Sequence, residues 1–541
     1  PEGIDYCGML EFCEDTSDFP NVVFGYRHPC NDDEEECECK AGPGPTIRLE
    51  PGNKYLLTLR NAAENVASVT NLHTHGLHIV GAGNGDDVTR HVNGGGNCLD
   101  YVWDITDDHP GGTYWYHAHH HGFTEPQVNG GAYGMLIVED NKIINPDTPD
   151  WATNEILLMV ARINGEIYGN GNQDEIIRMD ANQWYRLRVG IVDVLAEPDW
   201  LTFGSGCEIH QVAADGIWRS KVPGPAKAKF FLTGSSRADF AIRCASSFHV
   251  LFGGAKAATV YVGAVHPDPF EMEEWVPKRP RSLQGIAEAV VPPENTFDVE
   301  LTREGINNIL WDPTTPLTTV AYDEVHEWTL TRSKTHPFHL HLYHVLVVQP
   351  GGCGEQHEEG EFYDSVSGNE YEECKVRFKA SDVGQRCVLH CHVLNHEDNG
   401  AMGWVDVVGA NMPLNDVISP QYSCPATPRW TPAPTGLAPP PTRRPTRSPG
   451  DITTGTSTGT STGTSTNGKL VQEDENCSPL GEKAVVCGAR PEDGRGETCC
   501  GGLICGGDRD KVCVESTEDA FSTSSSTTSA ASIVSAGFSI T

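Results

Sequence analysis

The chain is predicted to be all-β, built from several strand-and-turn domains, and three observations predict it. Its 541 residues include 57 Gly and 36 Pro, a composition that suits many short strands and turns better than helices. TIRLE (residues 46–50) and KYLLTLRN (residues 54–61) mostly alternate apolar and polar residues, the two-residue period of a half-buried strand. The length suffices for three domains of ordinary size plus extras.

Taken in order, residues 1–40 carry Cys7, Cys13, Cys30, Cys37 and Cys39 among acidic residues and read as a disulfide-tied, Cys-rich N-terminal extension. From Gly42 the chain reads turn, strand, turn, strand, opening a first domain over 41–145. A second domain, 150–265, contains EILLMVARINGEIYGN, QWYRLRVGIV, CEIHQVAADGIW and SSRADFAIRC. Cys207 and Cys244 read as structural, and His210 and His249 as satisfied histidines. PDPFEMEEWVPKRPRSLQ then reads as an interdomain linker, and a third domain spans 290–415. Composition shifts sharply after it. Residues 425–475 are Pro-rich and then Ser/Thr/Gly-rich, a spacer that cannot bury a core. Residues 476–515 hold Cys477, Cys487, Cys499, Cys500, Cys505 and Cys513, in an order similar to a knottin or cystine knot. Such a module depends on its disulfides, and six cysteines allow fifteen connectivities. Residues 516–541 form a Ser/Thr-rich tail.

Bulk properties narrow the function classes. A formal charge of −37 disfavours nucleic acid and anionic membranes as partners and attracts cations. Of 19 cysteines, setting Cys391 aside leaves an even number, so complete pairing is expected in an oxidising compartment. The chain opens at Pro1 without a charged start and apolar run; a signal peptide is expected to have been removed, making the protein secreted or extracellular. No apolar run reaches the length of a membrane span.

The chemistry concentrates in four His-x-His patterns. They are His73-Thr74-His75, His117-Ala118-His119, His339-Leu340-His341 and His390-Cys391-His392. His336 precedes the third and His396 follows Cys391 by five residues. In a strand, His390 and His392 share one face and Cys391 takes the other. One tripeptide can thus serve two metal sites. A cysteine with two histidines is the ligand set of a blue copper electron-transfer site. His120 and His121 offer an alternative register near His117, which the preceding WYH decides for 117 and 119.

In the order HTHG, WYHAH, HPFHLH and HCHVLNHEDNG, the chain resembles the multicopper oxidases, the family of laccases, ferroxidases and ascorbate oxidase, over roughly residues 40 to 410. The resemblance implies three cupredoxin-like Greek-key β-sandwich or barrel domains and four copper ions, with the middle domain spacing its neighbours and shaping the substrate approach. Carried over position by position, a type 1 copper takes His336, Cys391 and His396. A type 2 copper takes His73 and His339. A type 3 pair takes His75, His117, His119, His341, His390 and His392. It also implies one-electron oxidation of a small reducing substrate and reduction of dioxygen to water. Asp86 or Asp87 stands where some relatives carry an acid near the type 2 site, with a turn aspartate as the competing assignment. Glu397 matches an acid that relays protons in some relatives; orienting a histidine is its alternative role. Asp398 reads as structural and His344 as a packing histidine. At the axial type 1 position, where relatives carry Met, Leu or Phe, the spacing puts Ala401, with Met402 one residue later. A laccase-like oxidation of phenols or aromatic amines is expected. Ferroxidase or Mn(II) oxidase activity is the alternative, and a secreted copper-binding matrix protein the non-catalytic one. The C-terminal module is a candidate for contact with polysaccharide or the cell surface.

Overall fold

The computed structural model describes residues 4–17, 22–29, 38–196, 198–265, 271–368, 372–410 and 412, together with the segments 498–499, 503–506 and 512–514. Spatially the chain divides into Pro1–Thr442 and Arg443–Thr541. No helix among the described residues is long and apolar enough to cross a membrane.

Within the larger unit, three sandwiches follow one another. The first pairs the sheet Val23–Arg27, Tyr6–Asp15, Asn53–Asn61, Asn97–Ile105 with the sheet Pro43–Leu49, Tyr133–Val138, Gly112–His117, His73–His75. The strands alternate as predicted: in Pro43–Leu49, Ile47 and Leu49 are buried and Arg48 between them is half-buried. Tyr6–Asp15 runs parallel to Asn53–Asn61 and lies inside the first sheet. The expected N-terminal extension is therefore part of the first domain, because Leu10 and Phe12 belong to its core.

The second sandwich packs a six-stranded sheet, with Tyr185–Asp193 and Arg237–Cys244 at its centre, on a five-stranded one. Their apolar faces close over Leu158, Val189, Leu201, Phe240 and Val250. In the third, Thr318–Ala321, Met402–Val408, Gln385–Cys391, Phe338–Leu340 and Ser365–Val366 form one sheet, facing a second centred on Cys374–Lys379. Trp328, Phe338, Val376 and Leu389 fill the space between. Trp275, in the expected linker, is buried against the tryptophans 151 and 218, so that segment is packed onto the second domain.

Where the three domains meet, Trp115 and Met135 of the first, Met159 and Val192 of the second and Leu394 of the third form one buried cluster. The Leu394 amide donates to the Val194 carbonyl at 2.9 Å. Asp398 accepts the amides of Gly122, Thr124 and Glu125 at 2.7, 3.1 and 2.8 Å. It thereby ties the start of the short helix Thr124–Asn129 to the third domain, the structural role expected of it.

Disulfides join Cys13 to Cys39, Cys207 to Cys244 and Cys353 to Cys374, and Cys98 is also disulfide-bonded. Complete pairing is not what the chain does, since Cys7 and Cys387 are free. On the strand Gln385–Cys391, residues 387, 389 and 391 share the face that enters the third core. Cys387 is thus used as a small apolar core residue.

The smaller unit contributes three short antiparallel strands, Thr498–Cys499, Leu503–Gly506 and Val512–Val514. The expected cystine pairing there, the 425–475 spacer and the 516–541 tail lie outside the described residues.

Candidate metal centre

The His-x-His pairs sit at the ends of strands whose register sets them side by side. In the first domain His73 pairs with His117 across adjacent strands. In the third, His339 pairs with His390 and Phe338 with Cys391. The two ligand-bearing sheets meet at the domain junction, so histidines more than two hundred residues apart come into contact. His119 Nε2 lies 3.2 Å from His390 Nε2. The His73 and His341 rings stack at 3.9 Å between centroids and those of His75 and His339 at 3.7 Å. All eight expected cluster histidines, His73, His75, His117, His119, His339, His341, His390 and His392, are brought together and buried.

Most of the rings are oriented from outside. His73 Nδ1 is 2.8 Å from both Asp86 carboxylate oxygens, and His341 Nδ1 is 3.1 Å from one of them. His117 Nδ1 faces the Ala118 carbonyl at 2.9 Å, His339 Nδ1 the Asp364 carbonyl at 2.8 Å and His390 Nδ1 the Cys391 carbonyl at 3.0 Å. Asp86, then, is the acid beside the cluster, binding histidines of two domains with one carboxylate. Asp87 instead accepts from the Thr89 amide and hydroxyl, as a turn aspartate does.

The inward nitrogens are bare. His73 Nε2, His117 Nε2, His339 Nε2, His341 Nε2, His75 Nδ1 and both nitrogens of His392 are buried without a hydrogen-bond partner. That many orphaned acceptors in one place would be costly without a cation between them. Burial pushes the histidine pKa values down; His117 falls to about 3 and His390 to about 4. Neutral imidazoles are the form that binds metal, so the donor set fits the copper ions implied by the motifs.

Cys391 turns to the other face, as the strand period requires. Its Sγ is 3.5 Å from His336 Nδ1 and 3.6 Å from His396 Nδ1, and the two nitrogens are 3.2 Å apart. Burial pushes the Cys391 thiol up, and a bound cation is what reverses that and holds a thiolate. Glu397 is fully buried. Its two oxygens lie 3.2 Å from His119 Nδ1 and 3.2 Å from His390 Nδ1, and one accepts from the Thr124 hydroxyl at 3.0 Å. It touches the cluster, while His396 beside it faces the cysteine.

Register bears on the choice between Ala401 and Met402. Met402 pairs with His390 and packs with Val88, Val388 and Trp404. Cross-strand partners share a face, so Met402 lies on the side away from Cys391. Ala401, whose carbonyl accepts the Cys391 amide at 2.9 Å, is fully buried in the same core cluster as Cys391 and Val393.

One group escapes the motifs altogether. Asp364 lies 3.1 Å from His75 Nε2 through Oδ1, which leaves His75 Nδ1 as its free donor. Both Asp364 oxygens are gripped by Arg237 of the middle domain, one of them at 2.9 Å. Asp215, also of that domain, accepts the Arg237 and Asp364 amides at 2.9 and 3.2 Å. His344 donates to the Asp215 carbonyl at 2.6 Å, so it too belongs to this network. Gly76 explains the glycine of HTHG: a Cβ there would fall 2.5 Å from Arg237 Nη2 and from Asp364 Oδ2, and its φ is +91°. The middle domain thus does more than space its neighbours. No motif marks Arg237, and its strand also carries Asp239 and Arg243, so nothing in the sequence singles it out.

A cleft of about 810 Å³ opens against His396. Leu195, Trp200 and Phe231 line it from the middle domain and Arg303, Lys334 and Glu355 from the third. His210, by contrast, is satisfied by the Gly224 carbonyl and Glu208, and His249 by Thr259, so neither joins the site.

Comparison with known proteins agrees with this geometry. Family models described as multicopper oxidase match residues 40–143 and 276–410. A multicopper oxidase of Staphylococcus haemolyticus is 23% identical over 403 residues, covering 67% of this chain and 82% of that protein. An iron transport multicopper oxidase of Candida albicans is 34% identical over 122 residues, 22% of this chain and 18% of that protein. Among solved structures, a multi-copper oxidase from Pediococcus acidilactici superposes with a TM-score of 0.61 at 19% identity, over 77% of this chain and 91% of that one.

Proposed function

We propose that this chain, which belongs to the multicopper oxidase family and is a copper-dependent oxidoreductase with dioxygen as acceptor, takes its electrons from phenols or aromatic amines. His336, Cys391 and His396 would hold the type 1 ion; His73 and His339 the type 2 ion; His75, His117, His119, His341, His390 and His392 the type 3 pair. Bound copper supplies one-electron redox chemistry at the cysteine site and oxygen reduction at the histidine cluster. The chain's part is to connect, orient and exclude water. Cys391 shares its backbone with His390 and His392, so a covalent path of a few bonds joins the two sites. Asp86, Asp364 and the carbonyls of Ala118 and Cys391 hold the rings in place, which keeps ligand nitrogens pointed inward. Glu397, in contact with two cluster histidines and sealed from solvent, would pass protons to the oxygen being reduced.

The observation that carries the substrate assignment is the cleft at His396. Trp200 and Phe231 offer flat apolar surface beside an edge of the electron-accepting site, suited to stacking an aromatic ring. An Fe(II) or Mn(II) site needs convergent carboxylates, and among the described residues the cleft lining holds one acid, Glu355, against Arg303 and Lys334. Among the described residues, the strongly anionic charge of the whole chain is thus not repeated where the substrate would sit. Turnover of a phenol, Fe(II) and Mn(II) by the copper-loaded protein, measured side by side, tests the assignment. The phenol is expected to be the best reductant. Faster oxidation of either metal ion would overturn it.

A further inference from the structure

The cleft beside His396 has a chemical asymmetry that phenol oxidation alone does not require. One wall is aromatic: Trp200 and Phe231 stand with centroids 5.0 Å apart, and Lys229 Nζ lies 4.3 Å from the Trp200 ring centre. Trp200 is left 37% exposed, so part of its ring is open to a ligand. The third domain contributes to the lining Arg303, which is exposed and has no hydrogen-bond or carboxylate partner among the described residues. In a chain carrying −37, an unpaired arginine beside the electron-entry histidine is not explained by solubility. The cleft also continues past Trp200 and Phe231 into a recess of about 420 Å³, leaving room for a substituent beyond one ring.

We propose that this is an anchoring site for phenols bearing an acidic group, a carboxylate or sulfonate, with the ring on Trp200 and Phe231 and the anion on Arg303. The inference rests on the assignment of a phenolic reductant made above. A guanidinium is the residue suited to such a group, because its planar fork donates two parallel hydrogen bonds to a carboxylate. The anchor acts in binding and adds no redox step: one electron and the phenolic proton leave the substrate whether or not the acid is present.

The test compares a matched pair, syringol and syringic acid, which differ by one carboxylate, using the copper-loaded full chain. Arg303→Gln is expected to raise KM for syringic acid roughly tenfold, the ratio that about 1.4 kcal/mol represents, and to leave KM for syringol and both kcat values within about twofold. Arg303→Lys should recover part of the loss, and added salt should weaken only the acid. Equal changes for both phenols, or none for the acid, overturn the anchor. Should neither phenol be oxidised, the substrate assignment itself fails. The anchor is then judged without turnover, by calorimetric binding of dimethoxybenzoate. Loss of that binding in Arg303→Gln supports it, and unchanged binding overturns it.

Discussion

Ala401 is the residue with the largest consequence for its size. Its methyl cannot donate to a metal, whereas a thioether in that place adds electron density to the oxidised copper and lowers its potential. Ala401→Met is therefore expected to lower the type 1 potential, and Met402→Leu, which alters only the packing against Val88, Val388 and Trp404, to leave it nearly unchanged. Redox titration of the two variants checks this, and a clear rise in Met402→Leu would make Met402 the axial ligand. Glu397 is the second residue whose role is open to a sharp measurement. Because it bridges His119 and His390 and touches neither His336 nor Cys391 within hydrogen-bonding distance, Glu397→Gln should slow reoxidation by dioxygen while sparing reduction by substrate. Stopped-flow measurement of the two half-reactions separates them; equal slowing of both would leave it an orienting group.

At the scale of elements, the strand Arg237–Cys244 of the middle domain ends at the copper cluster. Its arginine side chain is 1% exposed and holds the Asp364 carboxylate that faces His75. Removing one partner of a buried ion pair leaves the other charge uncompensated, at a cost of about 3–5 kcal/mol. Arg237→Gln should therefore lower the melting temperature sharply and disturb the spectroscopic signature of the histidine cluster, with the blue absorption of the Cys391 site retained. Arg237→Lys should recover part of the stability without the two-pronged grip. A variant that melts lower but keeps the cluster spectrum unaltered would confine Arg237 to a structural role.

Over the whole molecule, the first two domains are joined by charge as well as by apolar contact. Arg48 binds Glu139 at 2.7 Å and Glu155 at 2.6 Å, Arg188 also binds Glu155, and Arg186 binds Asp140 at 2.9 Å. Burial by itself would raise the Glu155 pKa, but Arg188, Arg48 and Arg186 together outweigh it and hold the carboxyl down at about 2, from an ordinary 4.5. A pKa depressed on folding contributes stability that is full above 4.5 and is lost as pH falls toward 2. Glu155→Gln should thus melt below the wild type at neutral pH, with the gap narrowing across that acid window. Thermal unfolding at a series of pH values checks it, and a gap that stays constant in acid would refute it.

What the sequence determined by itself was chemistry carried by short, local patterns. The strand period puts Cys391 opposite His390 and His392, and four His-x-His pairs with His336 and His396 name the metal donors, because ligand identity and two-residue spacing are local properties. The resemblance carried by those motifs extended this to family, fold and copper. Turns and alternation marked strands of the first domain, but not that Tyr6–Asp15 enters its first sheet, since strand pairing depends on residues forty or more positions away. Tertiary structure decided the rest: Asp86 over Asp87, the face on which Met402 lies, the free thiol of Cys387, and above all Arg237 and Asp364. These are single residues without a motif, and 127 positions separate that last pair. Only the closing of three domains on one another desolvates them, pairs them and brings them against His75.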